Sequence, residues 1–276
     1  MGGNSPQRRK ADELPGALES TDEIAEILDD RRPAVFLDYD GTLTPIVSQP
    51  EDAILSDDMR DVLRDLADVC TVAVVSGRDR LDVEPLVGLD QLVYAGSHGF
   101  DIKGPDGLRM EYEGGVEHLP SLEAAERELH ERLANVPGAR VERKRFAIAN
   151  HYRNVAAEDQ DRVQEAVHDV ARRHEGLRVS GGKKVLELRP DIDWDKGRAV
   201  FWLLDALDLD DDDEVVPFYV GDDVTDEDAF RALSGRGVSI VVGKPEYPTH
   251  ASYGVEDVAE VKKFLEFMIG QAGGNR

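Results

Sequence analysis

An α/β architecture, a Rossmann-like parallel sheet core interrupted by an inserted α+β domain, is predicted by three features of this sequence. Apolar runs recur between helical stretches, each run is continuous rather than alternating, and midway along the chain the pattern changes to a period of two. A continuous apolar run suits a strand buried on both faces of a parallel sheet. Ala34–Leu37 (AVFL) is the first, followed by Thr71–Val75 (TVAVV), Leu92–Ala95 (LVYA), Val215–Val220 (VVPFYV) and Ser239–Val242 (SIVV). Ser56–Val69 and Asp226–Leu233 read as helices between them, and strands alternating with helices build an open sheet covered on both sides. A polar leader reaches to about residue 20.

Residues 113–189 are expected to form the inserted domain, with 1–112 and 190–276 making the core. The spacing predicts a helix over Ser121–Ala134, strands over Ala139–Glu142 and Phe146–Arg153, a helix over Ala157–His174, and strands over Leu177–Ser180 and Lys184–Leu188. Ala147, Ala149 and His151 alternate with Phe146, Ile148 and Asn150, the signature of a sheet with unlike faces. The unit therefore reads αββαββ. Gly114-Gly115 and the Arg189-Pro190 step are the expected hinges. The acidic run Asp210–Glu214 reads as a solvated turn, because it lacks the ligand spacing and glycine of a calcium loop.

Charge narrows the function. Against 33 Lys plus Arg stand 58 Asp plus Glu, a formal charge of -25. Such a field repels nucleic acids and anionic membranes, so neither is an expected partner. No apolar run approaches the roughly 18 to 20 residues of a membrane helix, and no apolar stretch follows the basic residues near the start. A soluble cytoplasmic protein is expected. The acid is spread along the chain, as in proteins adapted to high salt or in ordinary acidic ones. One cysteine, Cys70, permits no internal disulfide and no Cys-rich zinc site, so chemistry must rest on carboxylates, hydroxyls, Lys and His.

Four elements carry such groups. Asp38-Tyr39-Asp40-Gly41-Thr42 follows the first strand directly, at the strand end where open α/β sheets place ligands. Its two carboxylates can hold a divalent cation beside a nucleophilic oxygen; a plain turn also favours Asp and Gly. Ser76-Gly77-Arg78 ends the second strand and offers a hydroxyl and unhindered N–H groups to an anion, or a helix cap. Lys196 stands near the start of a helix. Gly221-Asp222-Asp223-Val224-Thr225-Asp226-Glu227-Asp228 follows another buried strand, and its carboxylates repel one another unless a cation or a helix N-terminus neutralises some of them. Three strand ends in order thus carry carboxylates, a hydroxyl and carboxylates again, with a lysine before the last. In the inserted domain Glu142 and Lys144 are two apart and share a strand face, with Glu187 on another strand. Such a set can grip sugar hydroxyls or form a surface salt-bridge cluster.

That order resembles the haloacid dehalogenase superfamily over nearly the whole chain, its four motifs matching Asp38 to Thr42, Ser76, Lys196 and Gly221 to Asp223. More narrowly, DYDGTL, VVSGR, GSHG (Gly96 to Gly99), HYR (His151 to Arg153), KVLELRP (Lys184 to Pro190), DKG (Asp195 to Gly197) and GDDVTDEDAF (Gly221 to Phe230) are similar to trehalose-6-phosphate phosphatases. Ser97 departs from the residue more usual before His-Gly. The resemblance implies a Mg2+-dependent hydrolysis of trehalose 6-phosphate, the last step of trehalose biosynthesis, with the inserted domain as a cap. Asp38 is then the nucleophile that forms an aspartyl-phosphate, and Asp40 the acid that later serves as base. Mg2+ is held by Asp38, the Asp40 carbonyl and Asp222, with Asp223 and Asp226 in support. Thr42, Ser76, Gly77 and Lys196 hold the phosphoryl group, while Glu142, Lys144, Glu187 and His98 meet the sugar. His151 and Arg153 either line the cleft or serve as structural hydrogen-bonding groups. A functional link to trehalose-phosphate synthase follows from the same resemblance. Other readings are a phosphatase of another sugar or glucosyl compatible-solute phosphate, a phosphoacceptor module, and a non-catalytic regulatory partner of the synthase.

Overall fold

The computed structural model describes residues 8–29, 31–47, 50–182, 184–210 and 214–273. They divide into two compact units, one running through Arg109 and resuming at Trp194, the other Met110–Asp193. Of the Asp210–Glu214 run, residues 211–213 lie outside the described residues. In chain order come α1 (Thr21–Leu28), β1 (Arg32–Leu37), α2 (Asp57–Ala67), β2 (Thr71–Val75), α3 (Arg80–Val87), β3 (Val93–Gly96), β4 (Asp101–Lys103) and β5 (Arg109–Glu111), the last beginning at the final residue of this part of the first unit. Then come α4 (Glu113–Val116), α5 (Leu119–Leu133), β6 (Arg140–Arg143), β7 (Ile148–His151), α6 (Gln160–Arg173), β8 (Leu177–Gly182) and β9 (Val185–Pro190). The chain closes with α7 (Lys196–Ala206), β10 (Val215–Gly221), α8 (Glu227–Leu233), β11 (Val238–Val242), β12 (Tyr253–Val255) and α9 (Val258–Gly273).

The large sheet has the order β12-β11-β10-β1-β2-β3-β4-β5. It is parallel from β12 to β3 and turns antiparallel at β4. Val35, Phe36 and Leu37 of β1 and Phe218, Tyr219 and Val220 of β10 are buried, as continuous apolar strands between layers must be. From β1 the chain moves outward through β2 and β3, whereas β10 returns on the other flank of β1 and continues outward through β11 and β12. The C-terminal ends of β1 and β10 therefore open a crevice where the winding reverses, the usual ligand position of such a sheet. The Ser56 hydroxyl accepts from the Met59 amide to cap α2, whose Met59, Val62, Leu63 and Leu66 join the core.

From Arg9 to Ala17 the leader is not idle chain. Arg9 and Thr249 exchange backbone hydrogen bonds at 2.9 and 2.7 Å, Gly16 bridges Gly254, and Ala17 is fully buried. A segment that looks polar is thus held by its backbone, which leaves no side-chain pattern to read.

The second unit is a four-stranded antiparallel sheet, β6-β7-β9-β8. Leu122, Ala125 and Leu129 of α5 and Val163, Val167 and Val170 of α6 pack with Ile148 and Leu188 in one core. After the single-turn α4 the order is αββαββ, with the expected Phe146–Arg153 strand shortened to Ile148–His151, Lys144 N donating to Ala147 O across the turn before it. The two expected hinges carry regular structure: Gly114 and Gly115 lie within α4, and Pro190 pairs with Leu177 at the end of β9.

Candidate active site

Asp38 emerges from the end of β1 into the crevice with its side chain 7% exposed. Asp195 caps α7 by accepting from the Arg198 amide at 2.8 Å, which sets Lys196 in the first turn, 2% exposed. Lys196 Nζ donates to Asp38 Oδ1 and to Asp226 Oδ1, each at 2.7 Å. Asp226 is wholly buried, and its oxygens also accept from the Tyr219 hydroxyl at 2.7 Å and the amides of Asp222 and Asp223 at 3.1 and 2.9 Å. One buried ammonium thus joins two strand ends and a helix. Burial pushes the Asp38 carboxyl up to about 7 against the opposing pull of Lys196, and pushes Asp222 up to about 9, reinforced by the neighbouring carboxylates. Burial alone would lower the Lys196 ammonium, but Asp226 and Asp38 together hold it well above its ordinary range.

Carboxylate oxygens of Asp38, Asp222 and Asp226 lie within 4.8 Å of one another. Their capacities differ. Four donors already occupy both oxygens of Asp226, whereas Asp222 Oδ1 is buried without a partner. Asp38 and Asp222 are therefore the pair with lone pairs to offer a cation, and an all-oxygen donor set suits a hard one. Gly41 lets them meet: it has φ +85, and a Cβ there would stand 2.2 Å from Asp222 Oδ2.

The remaining core residues cluster at the ends of β1 and β2. Arg78 grips Asp40 with a two-pronged fork, Nε to Oδ2 at 2.7 Å and Nη2 to Oδ1 at 2.6 Å. It also donates to Pro50 O and covers the Tyr39 ring. Ser76 is buried, and its hydroxyl accepts from Arg78 N at 3.1 Å. Thr42 is fully buried with an unpartnered Oγ1. His98 is also buried and rests against Gly77, where a Cβ would meet its ring at 2.9 Å. Ser97 and His98 both take left-handed φ, 50 and 58, with Ser97 Oγ donating to Asp79 Oδ1 at 2.5 Å. Asp223 is exposed, its carboxylate accepting only from the next amide among the described contacts.

Glu142, Lys144 and Glu187 belong to the second unit. Lys144 Nζ donates to Glu187 Oε1 at 2.5 Å, and Glu142 Oε2 lies 2.8 Å from His151 Nε2. The sequence reading missed the partnership of Arg78 with Asp40 and the role of Tyr219. Tyr219 left a faint signal, since a phenol inside a strand buried on both faces needs a hydrogen-bond partner.

A family model described as trehalose-phosphatase matches residues 36–261. The trehalose-phosphate phosphatase of Mycobacterium marinum is 45% identical over 268 residues, covering 95% of this chain and 68% of that protein. A probable trehalose-phosphate phosphatase 2 of Oryza sativa subsp. japonica is 42% identical over 274 residues, covering 91% and 72%. Among solved structures, a trehalose-6-phosphate phosphatase related protein superposes with a TM-score of 0.76 at 27% identity, over 88% of this chain and 100% of the other.

Proposed function

The chain belongs to the trehalose-phosphatase family, and from that membership we propose that it hydrolyses trehalose 6-phosphate to trehalose and phosphate through an aspartyl-phosphate on Asp38. The observation that carries the reading is the buried contact of Lys196 with Asp38 at the mouth of the β1/β10 crevice. A carboxylate nucleophile and a phosphate are both anionic, so positive charge fixed beside them lowers the barrier most where water is excluded. A carboxylate oxygen of Asp38 attacks phosphorus, the P–O bond to the sugar breaks, and Asp40 gives its proton to the leaving oxygen. Water then attacks phosphorus, Asp40 takes the water's proton, and the bond to Asp38 breaks. The Arg78 fork matches the carboxylate form of Asp40, the form required for this second half.

The unpartnered Thr42 hydroxyl, with Ser76 and the Gly77 amide, suits the remaining phosphoryl oxygens. Asp38, Asp222 and the Asp40 carbonyl would hold Mg2+, which would supply charge neutralisation for the anionic nucleophile and phosphate. Asp226, and to a lesser degree Asp223, support these groups from behind. Glu142, Lys144 and Glu187 grip the sugar ring remote from phosphorus, and His98 backs the phosphate loop at Gly77. The substrate is the product of a trehalose-phosphate synthase, which makes that enzyme the functional partner. No helix among the described residues is long and apolar enough to cross a membrane, and a water-soluble sugar phosphate fits work in the cytoplasm.

Phosphate release measured over a panel of sugar phosphates tests the reading. Trehalose 6-phosphate should be hydrolysed with the highest kcat/KM, activity should vanish in EDTA, and Mg2+ should restore it. A preference for another sugar phosphate would overturn the substrate, and full activity in EDTA the metal.

A further inference from the structure

In the second unit Arg140 lies opposite His151, Glu142 opposite Ala149, and Ala149 opposite Glu187. Residues directly opposite in an antiparallel pair project to one face, so Arg140, Glu142, His151 and Glu187 share it. On this face two side chains make direct contact with Glu142, and both meet the same oxygen, while Lys144 acts on it through charge alone. His151 Nε2 is 2.8 Å from Oε2, and Arg140 Nη2 is 3.7 Å from that same Oε2. The nearest approach of each is thus to Oε2 and not to Oε1. Glu142 and His151 are both half-buried, with side chains 29% and 31% exposed, where a hydrogen bond to a charged acceptor counts for more than at an open surface. His151 is also the chief cause of the Glu142 carboxyl lying below its ordinary range.

We propose that His151 is a positioning residue for sugar recognition: by donating from Nε2 to Oε2 it fixes the Glu142 carboxylate and leaves Oε1 as the oxygen presented to a sugar hydroxyl. This rests on the reading that Glu142, Lys144 and Glu187 grip the sugar. An unfixed glutamate samples several rotamers, and binding then has to select one of them. His151 therefore acts through Glu142 and need not touch the substrate.

The experiment compares Glu142→Ala, His151→Phe, His151→Gln and the double variant Glu142→Ala/His151→Phe in the full chain, on trehalose 6-phosphate and on para-nitrophenyl phosphate. Phe keeps a ring without the donor, and Gln keeps an amide donor. His151→Phe should raise KM for trehalose 6-phosphate about tenfold with little change in kcat, while para-nitrophenyl phosphate turnover stays within twofold. His151→Gln should recover to within about threefold of the parent. The double variant should be no worse than Glu142→Ala alone, because the histidine has nothing left to position. If Glu142→Ala leaves trehalose 6-phosphate kinetics intact, the sugar-gripping reading itself fails. If Glu142→Ala raises KM but His151→Phe does not, or the two losses multiply in the double variant, the positioning role is overturned while the sugar site stands. Equal loss on both substrates, unrelieved by Gln, would make His151 a structural residue.

Discussion

Replacing Lys196 by methionine withdraws the ammonium that lies 2.7 Å from both Asp38 and Asp226 while keeping a long apolar stem. Removing one partner of a buried ion pair costs about 3–5 kcal/mol, because the remaining charge has no compensation. Protonation sets the ceiling. With an ordinary aspartate value of 3.8, taking up one further proton at pH 7 costs about 1.36 kcal/mol per unit over roughly three units, or ~4 kcal/mol, and only about 1.6 kcal/mol at pH 5. In the variant the native state holds a proton that the unfolded chain has released, so stability falls as pH rises above about 4. At roughly 2–4 °C per kcal/mol for a domain of this size, Tm drops by about 10 °C at pH 7. Urea unfolding of both proteins in EDTA from pH 5 to pH 8, followed through the buried Trp194, measures the difference. A loss below about 1 kcal/mol at pH 7, or one of equal size at every pH, would refute the claim that Lys196 compensates a buried carboxylate charge.

Gly41→Ala places a methyl 2.2 Å from Asp222 Oδ2 in a left-handed backbone; it should weaken Mg2+ binding at least tenfold in a titration followed by phosphate release, and unchanged Mg2+ dependence would count against that close approach. Asp38→Asn should abolish turnover yet raise Tm in EDTA at pH 8. The Asp38 carboxyl sits at about 7 when folded, so at pH 8 its ionised form opposes folding; a lower Tm at that pH would contradict this. Cys70 is held at about 12 by burial, so iodoacetamide at pH 8 should leave it unmodified in the native protein and label it fully in urea, as read by mass spectrometry. Rapid labelling of the native form would show that the thiol is open to solvent.

The central strands could be read because β1, β2, β3, β10 and β11 are runs of apolar residues with no polar face, and little else has that composition. The three-residue strands β4 and β5 are shorter than any period can register. Pro85 inside α3 argues against a helix in sequence, although the structure keeps one there. In α9 the residues Val261, Phe264, Leu265 and Met268 are buried at helical spacing, a legible signal that the reading passed over. Within the acidic turn the sequence makes Asp222, Asp223 and Asp226 alike. Folding separates them into one with a buried unpartnered oxygen, one exposed and one with four donors. The pairing of Asp40 with Arg78 spans 38 residues, and that of Lys144 with Glu187 spans 43. No local pattern encodes such distances; the sheet order and the strand register create them.

The four donors on Asp226 also bear on speed. The amides of Asp222 and Asp223 point back to a side chain with no solvent exposure, so the turn that bears Asp222, the proposed metal ligand, is already shaped by the core. Those two amides should exchange with deuterium on the timescale of the β10 interior, not on that of a surface loop. An arriving cation then finds a receptor that has no segment left to order. Capture of the proposed Mg2+ would then be paced by how fast the ion sheds its own water, which Mg2+ gives up reluctantly. Repeated loading and loss of the ion can pass without loosening the sheet edge, because the shape of the turn belongs to Asp226 and Tyr219 rather than to the metal.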